Sequence, residues 1–311
     1  MVLTVFLLLT GLGVLTAGAE FLVRGASAIA ARLGLSPLVI GLTVVALGTS
    51  SPELVVSIKA ALADQGGIAM GNVIGSNIFN VAAILGISAL ICPLAVHLKI
   101  IRLDMPIMLG ISVLFSVLLV SGGGLARWEG MLLVAGLIAY VAWSIIEGKH
   151  EPDKDIDIPP PPGGGTLANI ALVALGLAML VGGGKLLVDS AVAIARTLGW
   201  SEAVIGLTII AAGTSMPELA TSVVAALRRQ TDIAIGNVVG SNIFNILGIA
   251  GTAAVIRPVT GAGIGWLDLG AMLLTSALLL PLMRTGFAIV RWEGGLLLAA
   301  LAAYLWLRWP A

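Results

Sequence analysis

The chain reads as an all-α, polytopic membrane protein with ten transmembrane helices arranged as two inverted five-helix repeats, and three observations predict this. First, 59% of its 311 residues are hydrophobic, 10% are charged, and the mean hydropathy is +1.12. A water-soluble globule of this size could not hide so much apolar surface. Second, the stretch Gly41 to Gly86 returns as Gly206 to Gly251 at a constant offset of 165 residues. Third, an odd number of spans, five, fits within that offset, so the second copy must enter the membrane in the opposite sense to the first.

The first segment, Met1 to Leu33, is an apolar run followed by Ala17-Gly18-Ala19, which superficially resembles a signal-peptide cleavage site. No Lys or Arg precedes the run, however, and Gly18 to Ser36 matches the internal Gly183 to Ser201, so the segment is expected to be the first membrane helix. Polar breaks then predict helices near residues 37–63, 68–91, 105–121 and 129–146, each long enough to cross about 30 Å of hydrocarbon. The acidic, Pro-run and Gly-run segment at 148–165 is expected to be an exposed linker between repeats at 1–147 and 166–311. Five more spans are expected near residues 167–198, 202–227, 233–256, 267–283 and 288–307.

Charge distribution orients this scheme. Loops on the linker's side hold nine basic residues, Arg32, Lys99, Arg102, Lys149, Lys154, Arg228, Arg229, Arg284 and Arg291, against four on the other, Arg127, Arg196, Arg257 and Arg308. The positive-inside rule then puts the linker in the cytoplasm and both termini outside, in a cell membrane. Sixteen basic and sixteen acidic residues give no net charge, so nothing points to a nucleic-acid partner. Cys92 is the sole cysteine, and the two histidines, His97 and His150, fall in expected loops. Intramolecular disulfides, thiolate metal cages and intramembrane Ser/His dyads are thereby excluded.

Several charges have structural readings. Glu20 and Arg24 are spaced i,i+4, and their repeat counterparts Lys185 and Asp189 carry the reversed signs, which suits pairing near an interface. Arg127-Trp128-Glu129 and Arg291-Trp292-Glu293 suit headgroup anchors. Asp104 and Asp268 are expected to cap the fourth and ninth helices.

Glu53 and Glu218 are different, because each sits in the middle of an apolar segment where an ionisable group is costly. Pro52 and Pro217 remove a helix N–H and should release the carbonyls of Gly48 and Gly213. Thr49 and Glu53 share a helix face with Ser50 adjacent, as do Thr214, Ser215 and Glu218 in the second copy. On the following helix Asn72, Ser76 and Asn80 form a second oxygen-bearing face, repeated as Asn237, Ser241 and Asn245. Asn72 and Asn237 could be cavity wall or ligand, and Ser57 and Ser222, one turn beyond the glutamates, suit packing. Every candidate ligand is a hard oxygen, which suits Ca2+ or Na+ and not a transition metal. Two carboxylates would neutralise one Ca2+ or two Na+.

On these residues the chain resembles the cation/calcium antiporter superfamily, close to the prokaryotic sodium/calcium exchangers, whose paired repeats read G-T-S-x-P-E and G-N-x-x-G-S-N. The resemblance covers both halves. It implies that Glu53, Glu218, Thr49, Ser50, Thr214, Ser215, Ser76, Ser241, Asn80 and Asn245, with the backbone carbonyls of Ala46 and Ala211, line the ion sites. It also implies Ca2+ and Na+ as transported ions, no organic cofactor, and movement of the first and sixth helices during alternating access. Many relatives carry an aspartate where this chain has Asn245, so its cluster is one potential carboxylate poorer, which bears on the sodium stoichiometry and on the choice of Na+ or H+ as driving ion.

Other function classes fit less well. A proton-coupled cation exchanger would use the same glutamates. A passive channel would need polar groups along a continuous pore, whereas here they are central. An intramembrane hydrolase would need a base that the spans lack, and no phosphate-binding loop suggests a nucleotide drive. The orientation makes a direct prediction: in intact cells, neither a protease nor a cysteine label added outside should reach the linker around Asp155. Access from outside would overturn the assignment.

Overall fold

Glycine, serine and proline punctuate an almost wholly helical chain, and they decide where each helix stops. The structure, a computed structural model, describes residues 2–150, 165–199 and 211–308. Helix α1 (Val2–Leu33) ends at Gly34, whose φ of +65° suits a residue without Cβ. Ser36 then starts α2 (Pro37–Thr49), accepting from the Val39 N–H at 3.4 Å with Pro37 in the first turn. Ser50 (φ −82°, ψ 9°) breaks the path, and α3 (Ser51–Leu62) leaves it bent by 47°. The sequence forces that bend, because Pro52 has no N–H to continue the ladder.

Helix α4 (Gly66–Ile91) follows, then α5 (Ile100–Ser121) and α6 (Arg127–His150). The expected linker at 148–165 lies mostly outside the described residues, at 151–164, and so does the first part of the span expected at 202–227. After the linker come α7 (Thr166–Thr197), α8 (described over Ala211–Gly213), α9 (Met216–Leu227), α10 (Thr231–Ile256), α11 (Trp266–Arg284) and α12 (Arg291–Arg308). Ser215 (φ −87°, ψ 10°) repeats the backbone of Ser50 between α8 and α9, again with a proline just beyond.

Among the described residues seven helices are long and apolar enough to cross a membrane, and the bent α2–α3 pair makes eight if counted as one span. Two of the expected spans fall short of that test as described: α9 is 12 residues long, and α12 carries Arg291, Glu293 and Arg308 within 18 residues. The all-α expectation needs a small amendment. Two antiparallel ladders of two residues each join the halves of the chain, β1 (Leu94–Ala95) to β4 (Ala288–Ile289) and β2 (Gly124–Leu125) to β3 (Val259–Thr260). Strands this short have no readable alternation.

Asp104 also departs from expectation. The helix starts before it, in a π-turn over Ile100–Asp104, so Asp104 caps nothing and instead accepts from the Tyr140 hydroxyl at 3.1 Å. Its counterpart Asp268 does reach back to the Gly265 N–H at 2.8 Å, and it also accepts from Tyr304 and pairs with Arg308. Glu20 pairs with Arg24 as expected, at 2.6 Å, and with Arg228 at the end of α9 as well.

The two most buried spans are α4 and α10, and the other helices wrap around them. Close approach depends on glycine. A Cβ at Gly236 would meet the Leu38 carbonyl at 2.9 Å, and one at Gly240 would meet the Leu42 carbonyl at 2.5 Å, so α2 lies almost backbone to backbone on α10. Helices α1 and α7 pack along much of their length in the same manner. Gly11 and Gly18 face Gly183 and Gly176, and a Cβ on Gly183 would sit 2.7 Å from the Leu15 nitrogen. Gly13 and Gly182, in contrast, have nothing within 4 Å. Gly11, Gly18, Gly176 and Gly183 therefore seat α1 and α7 against each other. Gly183→Leu should lower the melting temperature of the purified protein, through overpacking of about 1–3 kcal/mol, while Gly182→Leu should leave it nearly unchanged; equal effects would contradict this packing.

Candidate functional site: a buried oxygen cluster

The two proline breaks place Glu53 and Glu218 in the first turns of α3 and α9, and both carboxylates are about 1% exposed. Their partners come from the opposite half of the chain. Ser50 donates from Oγ to Oε1 of Glu218 at 2.7 Å, and Ser215 donates to Oε1 of Glu53 at 3.0 Å. Each break thus serves the other's carboxylate. Ser76 on α4 joins at 3.4 Å from the Ser215 hydroxyl.

The surrounding wall is built by amides. Asn72 donates to the Glu53 carbonyl at 3.2 Å and to Ser57 at 2.9 Å, and Asn237 repeats this with the Glu218 carbonyl at 3.3 Å and Ser222 at 3.0 Å. Asn237 Oδ1 also accepts from Thr49 at 3.1 Å. Asn237 is therefore fully engaged with protein and acts as cavity wall, tying the first turn of α9 to α10, and the Asn72 nitrogen is held in the same way. Ser57 and Ser222 are the acceptors that complete these ties. The carbonyl of Gly48, which Pro52 releases, accepts from Ser51 Oγ at 2.7 Å. The second copy has Met216 at that position and can make no such bond.

Six oxygens of the expected site residues are buried and make no close hydrogen bond to protein: Oε2 of Glu53 and of Glu218, Oδ1 of Asn80 and of Asn245, Oγ of Ser241 and Oγ1 of Thr214, with the hydroxyls of Thr214 and Thr49 lying beside the carboxylates of Glu53 and Glu218 respectively. Buried polar atoms rarely stay unpaired, and each loses hydration when it does. Asn80 and Asn245 bond through their nitrogens to Asn242 and Asn77, two residues that the sequence analysis did not single out. Both lie in the repeated G-S-N at the 165-residue offset, which was the signal available for finding them. The Ala46 carbonyl accepts from the Ser50 N–H at 3.1 Å and lies 3.4 Å from Thr49 Oγ1, so it is engaged within its own helix. Ala211 is the first described residue of α8. Among the described residues no three of His, Cys, Asp or Glu cluster, so the acidic part of the site is the two glutamates.

A cavity of about 340 Å3 between α3 and α7 leads to the edge of the cluster at Thr214. Lys185 and Asp189 line it, along with Ser51, Pro52 and Pro217.

An oxygen-rich cluster lies inside a bundle of membrane-length helices, the architecture of a multi-pass membrane protein. The chain belongs to the sodium/calcium exchanger family: residues 3–146 and 168–309 match the family described as sodium/calcium exchanger protein. It is 41% identical to a putative antiporter, CaxA, of Alkalimonas amylolytica, over 99% of this chain and 98% of that one. It is 36% identical to the sodium/calcium exchanger MaX1 of Methanosarcina acetivorans over 96% of both. Its fold superposes on the solved structure of the sodium-calcium exchanger NCX_Mj soaked with Na+ and Ca2+, with a TM-score of 0.85 and 32% identity over 98% of each chain. The protein is a multi-pass membrane antiporter of that family.

The cross-bonding of serines and glutamates makes a prediction about the site itself. Ser50→Ala leaves one more buried oxygen of Glu218 unpaired and Ser215→Ala does the same to Glu53, so each should lower stability by about 1–3 kcal/mol in metal-free protein. Addition of Ca2+ should restore part of that loss in a thermal melt. Equal destabilisation with and without Ca2+ would argue that these hydroxyls serve packing alone.

Proposed function

We propose that the chain exchanges Ca2+ for Na+ across the membrane by alternating access, with ions bound near the midplane between two inverted five-helix repeats. The repeats are 1–147 and 166–311, joined by a linker at 148–165 that faces the cytoplasm, with both termini outside. Glu53 and Glu218 supply the charge. Thr49, Ser50, Ser76 and Asn80, with Thr214, Ser215, Ser241 and Asn245 and the carbonyls of Ala46 and Ala211, complete the ion sites.

The observation that carries this reading is the reciprocal pairing of Ser50 with Glu218 and Ser215 with Glu53, with a second oxygen of each carboxylate unpaired and buried. A dyad in which each half serves the other is what two inverted copies produce when they meet. The crossed ladders between the halves and the two family matches flanking the linker support the same arrangement. A charge of −2 balances one Ca2+ or two Na+, so the two ions compete for one cluster and coupling needs no separate gate. The tight α1–α7 interface supports movement of those two helices as one unit against the remainder. The cavity between α3 and α7, lined by Lys185, Asp189 and Thr214, supports an approach to the cluster at Thr214.

The test is 45-calcium uptake into proteoliposomes loaded with Na+, compared with a pH gradient alone. Uptake should follow the Na+ gradient. Uptake that follows the pH gradient and ignores Na+ would assign the glutamates to proton coupling. Glu53→Gln and Glu218→Gln should each abolish Na+-driven flux, because each leaves a divalent ion short of charge in a low-dielectric site, a cost of about 3–5 kcal/mol or at least about a hundredfold in affinity. Asn245→Asp should shift the Na+ or pH dependence and preserve transport. Unchanged flux in both glutamine variants would overturn the site.

A further inference from the structure

Asn77 and Asn242 lie behind the oxygen cluster, both about 1% exposed, where α4 meets α10. Each donates from Nδ2 to the backbone carbonyl of the other, at 3.4 Å in both directions. A carbonyl oxygen has no proton to give, so these bonds fix which end of each side-chain amide is the nitrogen. The Met272 sulfur, 4.0 Å from Nδ2 of Asn77, selects the same orientation.

With the nitrogens committed, each Oδ1 faces the other way and must accept. Asn245 donates to Oδ1 of Asn77 at 2.9 Å, and Asn80 donates to Oδ1 of Asn242 at 3.0 Å. The orientation is thereby passed on. Asn80 and Asn245 have their nitrogens held by the clasp, and their Oδ1 atoms are left buried without a protein partner. Both residues also begin π-turns, Asn80–Leu85 and Asn245–Ala250, at the point where the clasp grips the helices.

We infer that Asn77 and Asn242 are positioning residues that turn the side-chain oxygens, and not the N–H groups, of Asn245 and Asn80 toward the transported cation. The inference rests on the cluster being the cation site. An amide free to rotate can present either end, and an N–H end repels a cation. Fixing the rotamer beforehand removes the ordering cost from binding, as outer-shell partners do for metal ligands in general. The pairing is crossed, so an ion held by Asn245 on α10 is oriented through Asn77 on α4.

The experiment is a double-mutant cycle on the full chain in proteoliposomes, reading KM for Ca2+ and kcat of Na+-driven uptake. Asn77→Leu should raise KM by about ten- to a hundredfold and leave kcat largely intact. Asn245→Ala should do the same, and the double variant should be no worse than Asn245→Ala alone. Additive losses, an unchanged KM, or a fall confined to kcat would overturn the positioning role. The mirror cycle, Asn242→Leu with Asn80→Ala, and the milder Asn77→Ala are read by the same criteria and decide the matter if Asn77→Leu does not elute as folded protein. Glu53→Gln in parallel separates the two levels of the argument. Retained exchange in Glu53→Gln overturns the cation-site reading, whereas its loss together with additive cycles overturns only the clasp.

Discussion

Two carboxylates buried inside a bundle of membrane-length helices are the constraint around which this molecule is arranged. An unpaired charge there is costly, and the chain answers by giving each glutamate a serine from the opposite half. Neither half can complete that arrangement alone. The breaks at Ser50 and Ser215 exist at the same points, because the proline that follows each one both interrupts the helix and places the glutamate in a new first turn.

The packing follows from the same demand. Hydroxyls and carboxylates from α3 and α9 can meet only if the central helices come close, and the glycines of α10 let α2 approach at backbone distance. In lipid there is no hydrophobic drive between helices, so such close contacts and the amide ties of Asn72 and Asn237 hold the bundle. Outside the cluster the same reciprocity recurs at lower stakes. Tyr140 bonds Asp104 as Tyr304 bonds Asp268, and Arg127 donates to the Ile256 carbonyl as Arg291 does to that of Ile91. Among the described residues, only the cluster leaves several oxygens from both halves facing no protein partner in register with their repeat mates: the glutamates and Asn80 with Asn245.

The mostly helical, multi-pass class and most of the described helix ends were legible because apolar length and glycine, serine or proline breaks are local signals, and the repeat pointed to Glu53 and Glu218 directly. The crossing was not legible. Thr49, Ser50 and Glu53 read as one face of one helix, whereas in three dimensions Ser50 serves Glu218 and Thr49 serves Asn237. Such pairings are tertiary and have no spacing to reveal them. Asn77 and Asn242 were passed over for a related reason: the face traced through Asn72, Ser76 and Asn80 runs at i,i+4,i+8, and Asn77 lies off it. Asp104 was misread as a cap because the π-turn that starts α5 early has no sequence period of its own.

On the function proposed above, one cluster between Glu53 and Glu218 holds either Ca2+ or Na+. The most direct measurement is anomalous diffraction from crystals soaked in Ca2+, with the Na+ concentration raised in steps. A Ca2+ peak is expected within about 2.3–2.6 Å of an oxygen from each glutamate, fading as Na+ rises. A peak that touches neither glutamate, or one that keeps its full height in high Na+, would contradict it.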